Sequence, residues 1–411
     1  MADRSLEIAV HGRPVAHLIE HDGGYGGYDL AYLPDADAES FVALALHDVR
    51  GGDYSGYQQV PAALLQNLPE GALLALIRET FGKALNLATD FDLLRAIGPN
   101  LRGRVTVLGS ASEQGELSIG EILEQRGSAE FFRSCVERLG LAGAGVSGVQ
   151  PKFTTKVDNR ATAVVDDVIV KFRPFDGTLT GPIDRDYPGL AINEYYALRA
   201  AKFAGIESAT TQLSADGEML VVDRFDLPWD SPALGFDDAC SLSELAPEHR
   251  YQGSYQEMHD LLLRWLPSAE RADAEATLFR LLILNVIIGN GDAHRKNHGL
   301  VYASRADIRL APAYDILSTM PYLPDDTMAL ALSDETPSKA WPDAQTLRDF
   351  GRATMGFTPA RVRDHAERVR DAVDRAAREL SDYVASGPES AQSLKSLPAL
   401  WRRRIDAYRA L

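Results

Sequence analysis

The sequence predicts an α+β protein in which strands and helices alternate in the first half and helices dominate the second half. Short apolar runs bounded by turn residues indicate strands at 6–18, 28–33, 104–108, 153–157, 168–172 and 219–225. Apolar residues at helical spacing indicate a helix at 193–203, which Gly205 ends. From about residue 235 onward the pattern is mostly helical.

Length and composition restrict the class of protein. A chain of 411 residues can bury a large core and hold two or three domains. Its two cysteines, Cys135 and Cys240, exclude a disulfide framework and favour a reducing cytoplasm. We see neither a signal-peptide pattern nor an apolar run of the roughly 18 residues that a membrane span needs. We therefore expect a cytoplasmic protein.

Charge argues against one class of partner. The net charge of −17 makes DNA binding by the whole surface unfavourable, because phosphates repel it. A local basic patch, Trp401-Arg-Arg-Arg404, is interpreted as a solvated helix end.

The first predicted domain covers residues 1–112. The glycine-rich segment 21–27 is interpreted as a hairpin turn and not as a phosphate cradle, because no helix start follows it. Pro69 and Glu70 suit the first turn of a helix that opens at residue 68. A second helix is predicted at 90–98, with a glycine at its end.

The second predicted domain, 113–230, carries a glycine-rich loop at 140–152 after a predicted helix at 119–137. Glycine lets backbone amides approach phosphates closely, and Lys152 could add a charge. The loop does not match the Walker A pattern, and glycine-rich loops are common connectors. By itself it is weak support for phosphate binding.

Lys171 ends the apolar run Val168-Ile-Val-Lys171 in the same domain. A buried ammonium is costly unless it meets a counter-charge, and Glu194 on the next helix is the predicted partner. The alternative is a lysine at a strand end that reaches water.

The third predicted domain, 231–411, carries the most informative segment. An apolar run at 281–288 ends in a polar cluster where Asp292 precedes Asn297 by five residues. In a protein-kinase catalytic loop this spacing separates the Asp that accepts the hydroxyl proton from an Asn that holds Mg²⁺. Asp315 follows a second apolar stretch and can supply another metal ligand. The pattern indicates phosphoryl transfer.

Other chemistries fit less well. His294 and His298 lie four apart, but two cations separate them and the glutamate of a zinc-protease motif is missing. No Gly-x-Ser-x-Gly elbow follows a strand, which leaves a serine hydrolase without support. The segment 223–225 follows a buried strand, where a kinase has its interlobe hinge; a plain strand-to-loop exit is the alternative.

These motifs together resemble the HipA family of serine/threonine-kinase toxins from bacterial type II toxin–antitoxin modules. Residues 68–98 also resemble the N-terminal domain of that family. The motifs that carry the resemblance are Ser147-Gly-Val-Gln-Pro-Lys152, Val168-Ile-Val-Lys171, Asn193-Glu-Tyr-Tyr196, Val222-Asp-Arg-Phe-Asp226, Gly291-Asp-Ala-His-Arg-Lys-Asn297 and Tyr314-Asp-Ile316.

The resemblance implies a bilobal protein-kinase-like fold with an added N-terminal subdomain and a mostly helical C-terminal lobe. It implies ATP and Mg²⁺, with Asp292 as catalytic base and Asn297 and Asp315 as metal ligands. It assigns Lys171 to the ATP phosphates and Glu194 to a structural ion pair. The other implied nucleotide-site residues are Ser147, Gly148, Val149, Gln150, Pro151, Lys152, Asp223, Arg224, Phe225, His294, Arg295, Lys296 and Tyr314.

The resemblance also implies partners. Family members phosphorylate a serine of a translation component, typically an aminoacyl-tRNA synthetase, and are neutralised by a small helix-turn-helix antitoxin that binds operator DNA. Autophosphorylation in the phosphate loop switches them off. This chain has Gly145-Val-Ser147, with a serine at only the second of two family positions, so the modification is assigned to Ser147.

Two rival functions remain. One is a catalytically weak module that holds an antitoxin and corepresses an operon, although Lys171, Asp292, Asn297 and Asp315 are all present. The other is a kinase that acts on a small molecule.

Overall fold

A computed structural model gives the structure of the chain. The residues that it describes are 3–70, 73–74, 76–79, 81, 87–98, 101–108, 119–139, 152–159, 164–172, 187–324 and 326–411.

The N-terminal part is built on a four-stranded sheet in which all neighbours are antiparallel. Its order is β3-β2-β1-β4, from β1 (Arg4–Val10), β2 (Arg13–His21), β3 (Gly27–Tyr32) and β4 (Val105–Val107). The hairpin turn predicted at 21–27 is confirmed, since His21 pairs with Gly27 across it. The predicted strand at 6–18 is instead two strands, because the chain reverses at His11 and Gly12, both at positive φ.

Two helices of this part are α1 (Ala62–Leu65) and α2 (Asp90–Ile97). A capping box begins α2, in which Thr89 and Asp92 each accept a hydrogen bond from the other's backbone N–H. The predicted end at Gly98 is confirmed, but Gly98 is right-handed, with φ of −48°. A Cβ there would overlap the Val107 side chain. The predicted helix start at 68–71 lies partly outside the described residues.

The predicted helix at 119–137 is wrong as a single element. It is two helices, α3 (Ile119–Glu124) and α4 (Ala129–Leu139). The break contains Gly127, whose N–H donates to Asp216 Oδ2 at 3.0 Å. Gly127 packs so closely on Glu218 that a Cβ would lie 2.6 Å from the glutamate Cβ. A tertiary contact, which helical spacing cannot reveal, interrupts the helix.

A second antiparallel sheet has the order β5-β6-β8-β7. Its strands are β5 (Lys152–Asn159), β6 (Val164–Phe172), β7 (Thr211–Leu213) and β8 (Met219–Asp223). The predicted strands at 153–157 and 168–172 are confirmed and are longer than expected. Helix α5 (Leu190–Phe203) follows β6, and Gly205, at φ of 72°, ends it as predicted.

The remaining chain is mostly helical, as predicted from residue 235 onward. Its helices are α6 (Ala239–Leu242), α7 (Tyr255–Trp265), α8 (Ser268–Ile288), α9 (Ala344–Ala353), α10 (Pro359–Ser386) and α11 (Leu397–Ala407). Sequence reasoning missed a small sheet of order β11-β10-β9, formed by β9 (Gly235–Asp238), β10 (Gly299–Ser304) and β11 (Asp307–Leu310). This sheet flanks the polar cluster that follows α8.

The end of α8 is capped from the C-terminus of the chain. Arg404 donates through Nη2 to the Val286 carbonyl at 2.6 Å and through Nε to the Ile287 carbonyl at 3.2 Å. The interpretation of Trp401-Arg-Arg-Arg404 as a solvated helix end is therefore wrong for Arg404, which is half-buried. A guanidinium at a helix C-terminus satisfies carbonyls that lack intrahelical partners. Within the described ranges, no helix is long and apolar enough to cross a membrane.

Candidate active site

Lys171 lies near the end of β6 and is the centre of a buried ion-pair cluster. Its Nζ is 2.6 Å from Glu194 Oε1 and 2.6 Å from Asp315 Oδ1. Lys171 is 6% exposed and Glu194 is 1% exposed. Burial lowers the pKa of Lys171, but the charges of Asp315 and Glu194 outweigh it, so the pKa is raised and the lysine stays charged. The predicted contact between Lys171 and Glu194 is confirmed.

The position of Glu194 is fixed by its neighbour on α5. Asn193 Nδ2 donates to the Ser318 carbonyl at 2.8 Å, and the Ser318 N–H donates back to Asn193 Oδ1 at 2.9 Å. Ser318 comes three residues after Asp315, so this reciprocal pair holds α5 against the segment that carries the second carboxylate. Sequence reasoning gave Asn193 no role of its own.

The loop after α8 is shaped by its own side chains. Gly289, in the left-handed conformation at φ of 72°, ends the helix. Asn290 Nδ2 donates to Asn285 Oδ1 at 2.9 Å, and Asn290 Oδ1 accepts from the Asp292 N–H at 3.1 Å. The Gly291 N–H donates to Thr319 Oγ1 at 2.8 Å. These bonds give the backbone at Asp292 a defined conformation.

Asp292 lies in this loop and is bonded to a tyrosine from an earlier segment of the chain. Its Oδ1 accepts a hydrogen bond of 2.6 Å from the Tyr251 hydroxyl. Burial raises the pKa of Asp292 to about 6; the Tyr251 hydrogen bond lowers it and the Asp315 charge raises it. A carboxyl group with a pKa near neutrality suits general base catalysis.

Asn297 and Asp315 meet directly. Asn297 Nδ2 donates to the backbone carbonyl of Asp315 at 3.1 Å. Asn297 is buried, and its Oδ1 has no hydrogen-bond partner within the described part of the chain. Asp315 has a positive φ of 57°, which is uncommon for a residue other than glycine and clusters at functional sites.

The donor set of Asn297 and Asp315 fits Mg²⁺. This cation prefers oxygen ligands and is usually held by one or two carboxylates together with substrate phosphates. The unpartnered Asn297 Oδ1 and the Asp315 carboxylate supply two such oxygens, on residues that are joined by the hydrogen bond from Asn297 Nδ2 to the Asp315 carbonyl.

The cations between Asp292 and Asn297 contact protein groups. Arg295 donates to Glu257 at 2.6 Å, to Ser243 Oγ at 2.8 Å and to the Gln252 carbonyl at 2.8 Å. Lys296 Nζ donates to Glu70 Oε1 at 2.6 Å, from the N-terminal part of the chain. Arg295 and Lys296 are thus ordered by buried contacts that the spacing of the motif could not predict.

The two histidines of this loop are buried and neutral. Burial lowers the pKa of His294 to about 3 and the pKa of His298 to about 4. His298 Nδ1 lies 3.2 Å from the His294 carbonyl. His298 thus contacts the loop backbone, and His294 is itself a residue of the loop between Asp292 and Lys296.

The predicted hinge, 223–225, begins at the end of β8. Arg224 Nη2 donates to the Leu101 carbonyl at 3.1 Å and Nε to Asp226 Oδ1 at 3.2 Å. The Arg224 side chain therefore binds the N-terminal part of the chain. The Phe225 ring lies 5.6 Å from the Tyr314 ring, and the Tyr314 hydroxyl donates to the Lys296 carbonyl at 2.7 Å. This aromatic contact joins the hinge to the loop.

Of the predicted phosphate loop at 147–152, only the last residue, Lys152, is among the described residues. Ser147, Gly148, Val149, Gln150 and Pro151 lie outside the described residues. Lys152 begins β5, where its backbone pairs in register with Lys171. The end of the loop therefore adjoins Lys171.

Sequence reasoning missed three contributors to this site: Glu70, Asn193 and Tyr251. Each acts through a partner far away in the sequence, at separations of 226, 125 and 41 positions. Glu70 and Asn193 lie in segments that the sequence analysis singled out and Tyr251 lies in none, and no local spacing links any of the three to its partner.

Comparison with known proteins agrees with this fold, which is that of a kinase-like α+β protein. A family model described as the HipA N-terminal domain matches residues 6–108, and one described as the HipA-like C-terminal domain matches residues 144–377, more than half of the chain. The chain belongs to the HipA family. The predicted resemblance is thus confirmed; the predicted domain boundaries stay predictions.

Individual relatives share modest identity over most of their length. The chain is 28% identical to "Putative kinase Y4dM" of Sinorhizobium fredii over 80% of each protein. It is 23% identical to the serine/threonine-protein kinase toxin HipA of Shewanella oneidensis over 73% of this chain and 75% of that one. A solved structure of Shewanella oneidensis HipA with HipB and operator DNA matches with a TM-score of 0.69 and 19% identity, over 99% and 98% of the chains. At this identity the structural match supports the fold.

Proposed function

We propose that the chain is an ATP-dependent serine/threonine protein kinase that acts in the cytoplasm as the toxin of a toxin–antitoxin module. One observation carries the proposal: Lys171 bridges Glu194 and Asp315, while Asn297 bonds to the Asp315 backbone in the loop that also holds Asp292. Phosphoryl transfer requires a held phosphate, oxygen ligands for a metal and a base for the acceptor hydroxyl. Each of these has a residue here.

The roles follow from the chemistry of each side chain. Asp292 takes the proton of an acceptor serine hydroxyl, because its carboxylate is ionised near neutral pH. Lys171 binds ATP phosphates and is kept charged by Asp315 and Glu194. Asn297 and Asp315 hold Mg²⁺ through oxygen atoms. Bound ATP and Mg²⁺ supply the phosphoryl group and offset its negative charge.

The target and the partner are proposed from family membership. We expect a serine of a translation component, such as an aminoacyl-tRNA synthetase, as substrate, and Ser147 as the autophosphorylation site. The match to a HipA–HipB–operator complex supports a small helix-turn-helix antitoxin as partner. With a net charge of −17, the chain would reach DNA only through that antitoxin.

The match to the HipA–HipB–operator complex also supports a second function. The chain could act mainly as a binding module that holds the antitoxin and corepresses an operon, with little transfer activity. The two functions differ in one measurable property, which is transfer of phosphate that depends on Asp292.

The test compares the wild type with Asp292→Asn. Both proteins are incubated with [γ-³²P]ATP and Mg²⁺, and labelled peptides are mapped by mass spectrometry. We expect label in the wild type only, on the peptide that contains Ser147, and no label on that peptide in Ser147→Ala. The intact mass before the reaction shows whether Ser147 is already phosphorylated. An unmodified wild type that binds ATP and transfers nothing would favour the binding module.

A further inference from the structure

Tyr251 stands out among the large apolar side chains of the described residues. It is 40% exposed, yet its hydroxyl donates to Asp292 Oδ1 at 2.6 Å. It lies in the short loop that joins the 3₁₀ turn Pro247–His249 to α7. An exposed tyrosine could direct its hydroxyl to water, so a short bond to the carboxylate of the loop needs a cause.

The cause is that the catalytic loop itself holds the tyrosine. The Arg295 N–H donates to the Arg250 carbonyl at 3.2 Å, and Arg295 Nε donates to the Gln252 carbonyl at 2.8 Å. Arg295 thus fixes the backbone on both sides of Tyr251. The edge-to-face contact of the Tyr251 and His294 rings, with centroids 5.0 Å apart, sets the direction of the ring.

In this arrangement the two carboxylate oxygens of Asp292 have different environments. Tyr251 occupies Oδ1, whereas Oδ2 accepts no hydrogen bond from any described residue. A carboxylate on a free Asp side chain can rotate, and a base must point at its acceptor to within a fraction of an ångström. With Oδ1 engaged, the carboxylate cannot rotate freely and Oδ2 remains for the acceptor.

We propose that Tyr251 is a positioning residue for phosphoryl transfer: its hydroxyl fixes the Asp292 carboxylate so that the second oxygen receives the acceptor proton. The inference rests on the proposed function, because it assigns Asp292 as the base. Tyr251 acts through Asp292 and needs no contact with ATP.

The hydroxyl also favours the ionised form of the base. Burial and the charges of Asp315 and Asp326 raise the pKa of Asp292, while the Tyr251 hydrogen bond and Arg250 lower it. The groups against the tyrosine ring are neutral His294, with ring centroids 5.0 Å apart, and Arg250, whose guanidinium carbon lies 5.3 Å from the ring centroid. Loss of the hydroxyl should therefore move the acidic limb of the pH profile to higher pH.

The test is Tyr251→Phe, which removes only the hydroxyl. A matched control is Tyr255→Phe, because the Tyr255 hydroxyl donates to the Ala293 carbonyl at 2.9 Å, in the same loop, and not to the carboxylate. Autophosphorylation and ATP binding are measured for both variants across pH. The readouts are kcat, KM for ATP and the position of the acidic limb.

We expect Tyr251→Phe to lower kcat by about tenfold to a hundredfold, with KM for ATP unchanged and the acidic limb at higher pH. Tyr255→Phe should leave the limb in place. Wild-type kcat and limb position in Tyr251→Phe would overturn this inference alone, as would an equal limb movement in Tyr255→Phe. Transfer that is absent in the wild type, or intact in Asp292→Asn, would overturn the proposed function and this inference with it.

Discussion

Glu70 Oε1 accepts a hydrogen bond of 2.6 Å from Lys296 Nζ, although 226 positions separate the two residues. Glu70 also lies 3.5 Å from Arg250, next to the tyrosine that binds Asp292. A single carboxylate of the N-terminal part thus contacts both segments that surround the proposed base. The N-terminal part is therefore structurally continuous with the candidate active site.

The first prediction concerns the stability that this contact provides. Glu70→Gln should lower the free energy of unfolding by about 1–2 kcal/mol, because Lys296 is 8% exposed and loses a charged partner. Urea titration measures it. The control is Glu39→Gln, since the Glu39–Arg305 pair also joins distant segments but is about half exposed, and should cost less than about 1 kcal/mol. Equal losses would mean that burial of Lys296 is not the reason.

The second prediction concerns ATP. Glu194→Gln removes one of the two carboxylates that bind the Lys171 ammonium. It should weaken ATP binding by about tenfold, because hydrogen bonds between charged groups are stronger than those to a neutral amide. Calorimetric titration with ATP and Mg²⁺ measures this. The control is Glu379→Gln, which breaks a 2.6 Å ion pair with Arg199. Arg199 lies on α5, as Glu194 does, but outside the site, so the ATP affinity should be unchanged. Similar losses in both variants would point to a general displacement of α5.

The third prediction concerns Mg²⁺. Asn297→Ala removes the buried Oδ1 that lacks a partner, so half-maximal activity should need at least about tenfold more Mg²⁺. Activity is measured against Mg²⁺ concentration at saturating ATP. Asn290→Ala, in the same loop, loses its bonds to Asn285 and to the Asp292 N–H. It should lower activity without changing the Mg²⁺ requirement. An unchanged requirement in Asn297→Ala would exclude Asn297 as a ligand.

The fourth prediction concerns pH. Asp292 must be ionised to accept a proton, and its pKa is about 6, so kcat/KM for ATP should fall as pH drops through about 6. The buried, neutral His294, with a pKa of about 3, does not titrate in this range. His294→Gln should therefore keep an acidic limb, which moves to higher pH only if loss of the imidazole ring also weakens the Tyr251 hydrogen bond to Asp292. A wild-type limb near 4, or a limb that disappears in His294→Gln, would contradict the assignment to Asp292.

Local patterns were sufficient for much of the site. The apolar run that ends at Ile288 lies in the part of the chain that was predicted to be mostly helical, and the polar cluster after it predicted the loop with Asp292 and Asn297. The strand that contains Lys171 and the helix that contains Glu194 were also predicted, as was their contact. These features depend on residue type and on spacings of a few residues, which the chain alone specifies.

The sequence by itself therefore determined the α+β class, the family, and the residues that we propose hold a phosphate, bind a metal and take a proton. Tertiary structure decided which distant residues support them: the Tyr251 hydroxyl bonds to Asp292, and Glu70 bonds to Lys296. It also decided where the helix predicted at 119–137 breaks, which is at Gly127. The physical reason is that these contacts form only when segments far apart in the chain pack together. Their free energy depends on distance and burial in the folded protein, which no local pattern of residues records.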